Sequence, residues 1–147
     1  MPDIRHEIII QAPLQRVYEA LTTQEGLQSW WTSDTQAVPE VGSVAVFGFF
    51  NRSTIFRMRI DELTPAKRVR WSCEGDVDEW IDTEIRFDLE PDEADGSKLR
   101  FRHKNWHSTA GIYAQCNTTW GNLMFRLKAF AEGKNPGPLF TINGMAD

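Results

Sequence analysis

Residues 112–130 read Ile112-Tyr113-Ala114-Gln115-Cys116-Asn117-Thr118-Thr119-Trp120-Gly121-Asn122-Leu123-Met124-Phe125-Arg126-Leu127-Lys128-Ala129-Phe130, and their spacing decides the fold. Ile112, Cys116, Thr119, Trp120, Leu123, Leu127 and Phe130 recur at intervals of three and four, the period at which side chains share one face of an α-helix. Ser108 or Thr109 is placed to cap this helix, Gly133 to stop it, and Pro136-Gly137-Pro138 to prevent its continuation. An apolar stripe of about twenty residues has to be buried against another layer.

That layer is set by what precedes it. In residues 68–74, Val69, Trp71 and Cys73 alternate with Arg68, Arg70, Ser72 and Glu74, the period of two that belongs to a strand with one wet side. The same alternation runs through residues 80–90, where Ile81, Thr83, Ile85, Phe87 and Leu89 oppose Asp82, Glu84, Arg86 and Asp88. It recurs in residues 54–63, where Phe56, Met58 and Ile60 oppose Arg57, Arg59 and Asp61. Further strands are expected at residues 34–38, 43–49 and 97–104, with turn signals at Pro39, Gly42, Asn51-Arg52, Pro65-Ala66, Gly75-Asp76 and Asp95-Gly96. Residues 4–11 read as a first strand. Pro13, Val17, Ala20 and Leu21 mark a helix after it, and Thr23 caps a second short one ending at Trp30-Trp31. The expected fold class is α+β: a helix-grip architecture, a curved antiparallel sheet of six to seven strands wrapped around the long last helix. The reading makes residues 1–133 one domain and 134–147 a tail.

Composition narrows the function classes. A length of 147 residues suffices for one core that buries roughly two-thirds of the unfolded surface. The net charge of −5 speaks against a nucleic-acid binder, which needs a basic face for phosphates. Residues 1–7 hold no apolar signal core, and no stretch approaches the ~20 apolar residues of a membrane span, so a cytoplasmic location without membrane insertion is expected. Cys73 and Cys116 sit among apolar neighbours and read as two reduced thiols. Six tryptophans and nine phenylalanines are many rings for a core this size, which points either to a cavity or interface lined with them or to a core filled by them.

Three stretches carry a resemblance to a known family. Ile8-Ile9-Ile10-Gln11-Ala12-Pro13 is followed by Val17-Tyr18-Glu19-Ala20-Leu21-Thr22 and Trp30-Trp31; Asp61-Glu62-Leu63-Thr64-Pro65-Ala66-Lys67-Arg68-Val69 forms a central turn; Trp120-Gly121-Asn122-Leu123 lies in the last helix. Over about residues 4–132 the chain resembles the superfamily of the birch-pollen allergen, the steroidogenic lipid-transfer domains and the bacterial polyketide cyclases. Its branch looks like the homologues of the activator of the heat-shock-protein ATPase. The resemblance implies the helix-grip fold and leaves function open between ligand carrier, cyclase and chaperone cofactor, because the shared positions are packing and turn positions.

The candidate site is the space between sheet and last helix. Its expected lining is Phe47, Phe56, Met58, Trp71, Ile85, Phe87 and Phe101 from the sheet, with Tyr113, Trp120 and Met124 from the helix; the same residues serve equally as packed core. Thr83, Tyr113 and Asn117 offer hydroxyl and amide groups to a ligand, or to each other. His103 shares parity with Leu99 and Phe101 and so points inward, as a satisfied core histidine or, with Tyr113, as a proton-transfer group of a cyclase or hydrolase. If extension continues, Asn105 and His107 share its side, but a third metal ligand is missing, so no metal and no cofactor is expected. Asp76, Asp78, Glu79 and Asp82 read as a solvated loop. The expected partner is a small hydrophobic molecule, held without catalysis; a chaperone or a second copy of the chain is the alternative the resemblance implies.

Overall fold

In the computed structural model, which describes residues 2–146, strand β1 (Ile4–Ile10) leads into helices α1 (Leu14–Thr22) and α2 (Gln24–Trp30). A meander follows: β2 (Thr35–Gln36), β3 (Val44–Phe49), β4 (Thr54–Thr64), β5 (Arg68–Glu74), β6 (Glu84–Asp92) and β7 (Gly96–Lys104). Helix α3 (Tyr113–Ala131) and a small hairpin, β8 (Phe140–Thr141) and β9 (Gly144–Met145), complete the chain. The seven-stranded sheet has the order β1-β7-β6-β5-β4-β3-β2, antiparallel throughout. A register shift between Ile60 and Glu62 bulges β4, which bends a sheet locally. The expected helix-grip fold is the observed one: a curved sheet with a long helix last.

The period-two reading holds in side-chain detail. Val69, Trp71 and Cys73 are buried, as are Ile85, Phe87 and Leu89. On the opposite face Arg68 pairs with Asp88 at 2.7 Å, Arg86 with Asp88 at 2.8 Å, and Arg70 reaches Glu62 and Glu84 at 3.5 Å. The charges of the wet face therefore largely neutralise one another. No helix among the described residues is long and apolar enough to cross a membrane.

Four boundaries differ from expectation, each for a local reason. Strand β2 is shorter than 34–38 because the Ala37 amide donates to Gln24 Oε1 at 3.1 Å instead of joining the ladder. Strand β6 begins at Glu84, since Asp78–Trp80 form one turn of 3-10 helix and Asp82 takes φ 67°. Helix α3 starts at Tyr113, because Gly111 turns the chain at φ 68° and the carboxylate that receives the Ile112 amide, at 3.0 Å, comes from Glu79. Glu79 is thus drawn from the acidic run to the positive end of a helix dipole. Finally, residues 138–146 fold back onto the domain. Leu139 and Phe140 donate their amides to Trp30 and Trp31 carbonyls at 3.3 and 2.9 Å, and Ser33 donates to Phe140 at 3.0 Å.

Helices α1 and α2 meet at Gly26. A Cβ there would lie 2.8 Å from Ala20 Cα and 2.9 Å from Ala20 O, backbone atoms that cannot rotate away. Trp30 Nε1 donates to that same carbonyl at 2.8 Å, so the close approach also seats a fully buried ring. Replacing Gly26 by alanine is expected to cost about 2 kcal/mol through overpacking. A urea titration with an unchanged midpoint would contradict this account of the helix pair.

Candidate functional site

The stripe on α3 is buried unevenly, and that gradient locates the site. Leu123 and Leu127 are fully covered, whereas Ile112, Cys116 and Thr119, one to three turns earlier, are only half-buried. Towards its C-terminal end α3 is fastened to the first strand: Lys128 Nζ donates to Ile9 O at 2.9 Å and Glu132 Oε2 accepts the Gln11 amide at 2.8 Å. Its N-terminal half stands over the β3–β4 turn, and between them a cleft of about 240 Å³ opens. Phe49, Phe50, Thr54 and Phe56 form the sheet side, Ile112, Gln115, Cys116, Thr119 and Leu123 the helix side, Trp31, Trp80 and Trp120 the floor and walls, and Phe140 and Met145 of the hairpin the far rim.

Of the residues expected to line a cavity, Phe56 and Trp120 do so. Most of the others stand behind them as solid packing. Trp31 fills the space that the alternation alone would leave open: its ring centroid lies 4.3 Å from Phe47, 5.1 Å from Trp120 and 6.2 Å from Trp71, stacked on the last. Phe101 backs Trp120 at 4.4 Å, and Phe87 lies 5.3 Å from both Phe101 and Trp71. Met58, Ile85 and Met124 are buried in the same core and do not reach the cleft. Thr83 is buried with them. Tyr113 is half-buried beside Trp106 and donates its hydroxyl to Asp3 O at 2.8 Å, while Asn117, expected to face inward, is exposed because its position on α3 turns it to solvent.

His103 is fully buried and its two nitrogens have defined partners. Trp120 Nε1 donates to Nδ1 at 3.2 Å, which leaves the ring proton on Nε2, facing Thr83 Oγ1 at 2.8 Å. Thr83 in turn donates to Trp80 O at 2.6 Å. Burial pushes the His103 pKa down to about 3, so the imidazole is neutral and has no lone pair to offer a substrate. What it does is hold Trp120 and the Trp80 backbone, two walls of the cleft. The extension that would have aligned His103, Asn105 and His107 ends at Asn105, whose φ is 70°; His107 lies at the surface against Ile81 O, 3.3 Å away.

The two cysteines are free. Burial raises the Cys73 thiol to about 12 and the Cys116 thiol to about 11, so neither is a thiolate at neutral pH. Among the described residues, no arginine, lysine or histidine lines the cleft. The arrangement can therefore hold a small, flat, uncharged molecule between rings, and it presents no activated nucleophile. Trp31, Trp80 and the hairpin residues Phe140 and Met145 lie outside the strand alternation and reach the cleft from other elements. The adjacent rings Trp30-Trp31 and the half of the helical stripe rich in small residues were the signals that could have found the cleft.

Comparison with known proteins agrees with this geometry at the level of the fold. The sequence profile of the family described as "Activator of Hsp90 ATPase homolog 1-like protein" matches residues 11–132. Among solved structures, the Aha1 dimer from Colwellia psychrerythraea is similar over 91% of this chain and 98% of its own, with 38% identity and a TM-score of 0.83. A Chromobacterium violaceum protein is similar over 90% of this chain and 99% of its own, at 22% identity and TM-score 0.75. A Mesorhizobium loti protein covers 86% of this chain and 94% of its own, at 17% identity and TM-score 0.75. These last two share the fold. No curated protein matches the chain.

Proposed function

The chain belongs to the family of Activator of Hsp90 ATPase homolog 1-like proteins, and from that premise we propose that it binds a small, apolar, flat molecule in the cleft between α3 and the β3–β4 turn, without transforming it. The observation that carries this reading is the 240 Å³ opening walled by Trp31, Phe56, Trp80, Trp120 and Phe140. Its size suits a one- or two-ring compound, below the usual range for drug-sized ligands of roughly 300–1,000 Å³. A two-ring molecule of about a dozen heavy atoms, at roughly −0.5 kcal/mol per atom, binds with a Kd of roughly 40 μM.

Three tryptophans border the cleft, so occupancy changes their emission. Titration with two-ring hydrocarbons is expected to give a saturable change, and Cys116→Phe, which fills the helix side, is expected to weaken it at least tenfold. A linear, unsaturable response in the wild type, or equal affinity in the variant, removes the reading.

A second reading concerns partners and draws on one relative. The Colwellia protein is described as a dimer, and here Phe50, Ile142 and Met145 are exposed close to the cleft mouth. Self-association through that rim would cover them. Sedimentation at rising concentration is expected to show a second species that Phe50→Ser together with Ile142→Ser removes; a monomer at all concentrations ends this reading and leaves the first intact.

A further inference from the structure

Trp80 is only 4% exposed, yet among the described residues its Nε1 has no hydrogen-bonding partner. Trp30 Nε1 reaches Ala20 O at 2.8 Å and Trp120 Nε1 reaches His103 Nδ1 at 3.2 Å; Trp106 Nε1 and His6 Nε2 are also buried without partners, but of the three unserved groups among the described residues only Trp80 belongs to a residue that walls the cleft. The ring cannot turn to find a partner. Phe56 packs on it with centroids 4.0 Å apart, Trp120 stacks at 6.1 Å, and His103 meets it edge-on at 4.5 Å. Its N–H edge lies beside the Cys116 thiol, and both side chains wall the cleft. Sulfur is a weak acceptor that a single χ1 rotation swings aside, so this neighbour of the donor is soft and movable.

Resting on the cleft as a binding site for apolar molecules, we infer that Trp80 makes it selective for occupants carrying one neutral hydrogen-bond acceptor, such as a ketone or ester carbonyl, which takes the indole N–H in place of the Cys116 thiol. A neutral acceptor is specified by the surroundings. Among the described residues no cationic side chain lines the cleft, and the Glu79 carboxylate stands at Ile112 on its wall, 3.0 Å from that amide, where it repels an anion. A pure hydrocarbon fits the same walls but leaves the buried donor unserved, and an unserved donor costs about a factor of ten in binding.

The test uses two probes of one shape, 2-acetylnaphthalene and 2-isopropenylnaphthalene, which differ in a carbonyl oxygen against a methylene group. The ratio of their affinities for the full-length wild type is expected to favour the ketone about tenfold more than the same ratio for Trp80→Phe. In the proton–nitrogen spectrum of the wild type, the Trp80 indole resonance is expected to move downfield with the ketone alone. Equal ratios in both proteins, or an indole resonance that responds alike to both probes, overturn the inference while hydrocarbon binding leaves the cleft reading standing. If neither probe binds, both readings fall. Should Trp80→Phe not fold, the wild-type indole shift decides by itself.

Discussion

Replacing His103 by leucine is expected to cost about 2 kcal/mol of stability at pH 7.5 and close to nothing at pH 5. At the higher pH the variant leaves Trp120 Nε1 buried without its acceptor, and an orphaned donor of this kind costs roughly 1–3 kcal/mol. At the lower pH the wild type loses its advantage. The folded pKa of His103 is pushed from 6.5 down to about 3 by burial, so below pH 6.5 the unfolded chain takes up a proton that the folded one refuses. Folding stability from this group is complete above pH 6.5 and falls by about 1.4 kcal/mol per pH unit until the folded pKa is reached. Leucine has no proton to bind and escapes the penalty. Paired urea titrations at the two pH values measure it, and a destabilisation that stays the same at both would mean that His103 is not buried neutral. Carboxylates with lowered pKa, among them Asp61 and Asp88, add their own loss only further down the acid limb.

A second large effect is expected at the far end of the chain. Leu139 is fully buried against Trp30 and Trp31, and Leu139→Ala is expected to cost about 3 kcal/mol, the range for a leucine removed from a packed core. Phe140→Ala should do something different in kind. Its ring meets Phe49 edge-on at 4.9 Å and forms the rim of the cleft, so its loss opens the site as well as weakening the fold. Ligand affinity is therefore expected to drop in Phe140→Ala but to survive in Leu139→Ala once the protein is folded. If Leu139→Ala shifts the unfolding midpoint by less than about 0.5 kcal/mol, the terminal segment is not docked as described.

Much of the scaffold was legible, and the reason can be seen at single strands. Residues 68–74 alternate because one face packs and the other is wet, and β5 has those same bounds in the structure. The start of β6 was not legible in the same way. Ile81 and Thr83 keep the alternation with Asp82 and Glu84 through a turn, so the pattern continues where the strand does not. The cap of α3 was misplaced for a related reason: Ser108 and Thr109 are good caps in any local context, but Glu79, distant in sequence, reaches the helix end first. At the site, parity along the strands identified which residues point inward and could not identify which of them still touch open space. Phe47 and Trp71 have the right parity and are sealed by Trp31, which the helix pair inserts from outside the sheet.

What the residues determined on their own is the order and facing of the layers: six to seven antiparallel strands with one apolar side, and a last helix whose stripe lies across it. Both follow from backbone periods, which are local and survive in the linear sequence. Where packing stops and a cleft begins was decided only by the tertiary structure. That boundary depends on Trp31 meeting Trp71 and Trp120, on His103 steadying two of the rings, and on Phe140 returning from the end of the chain to the rim. These are contacts between distant residues, fixed by the volumes of side chains that meet in space, and no repeat along the chain records them.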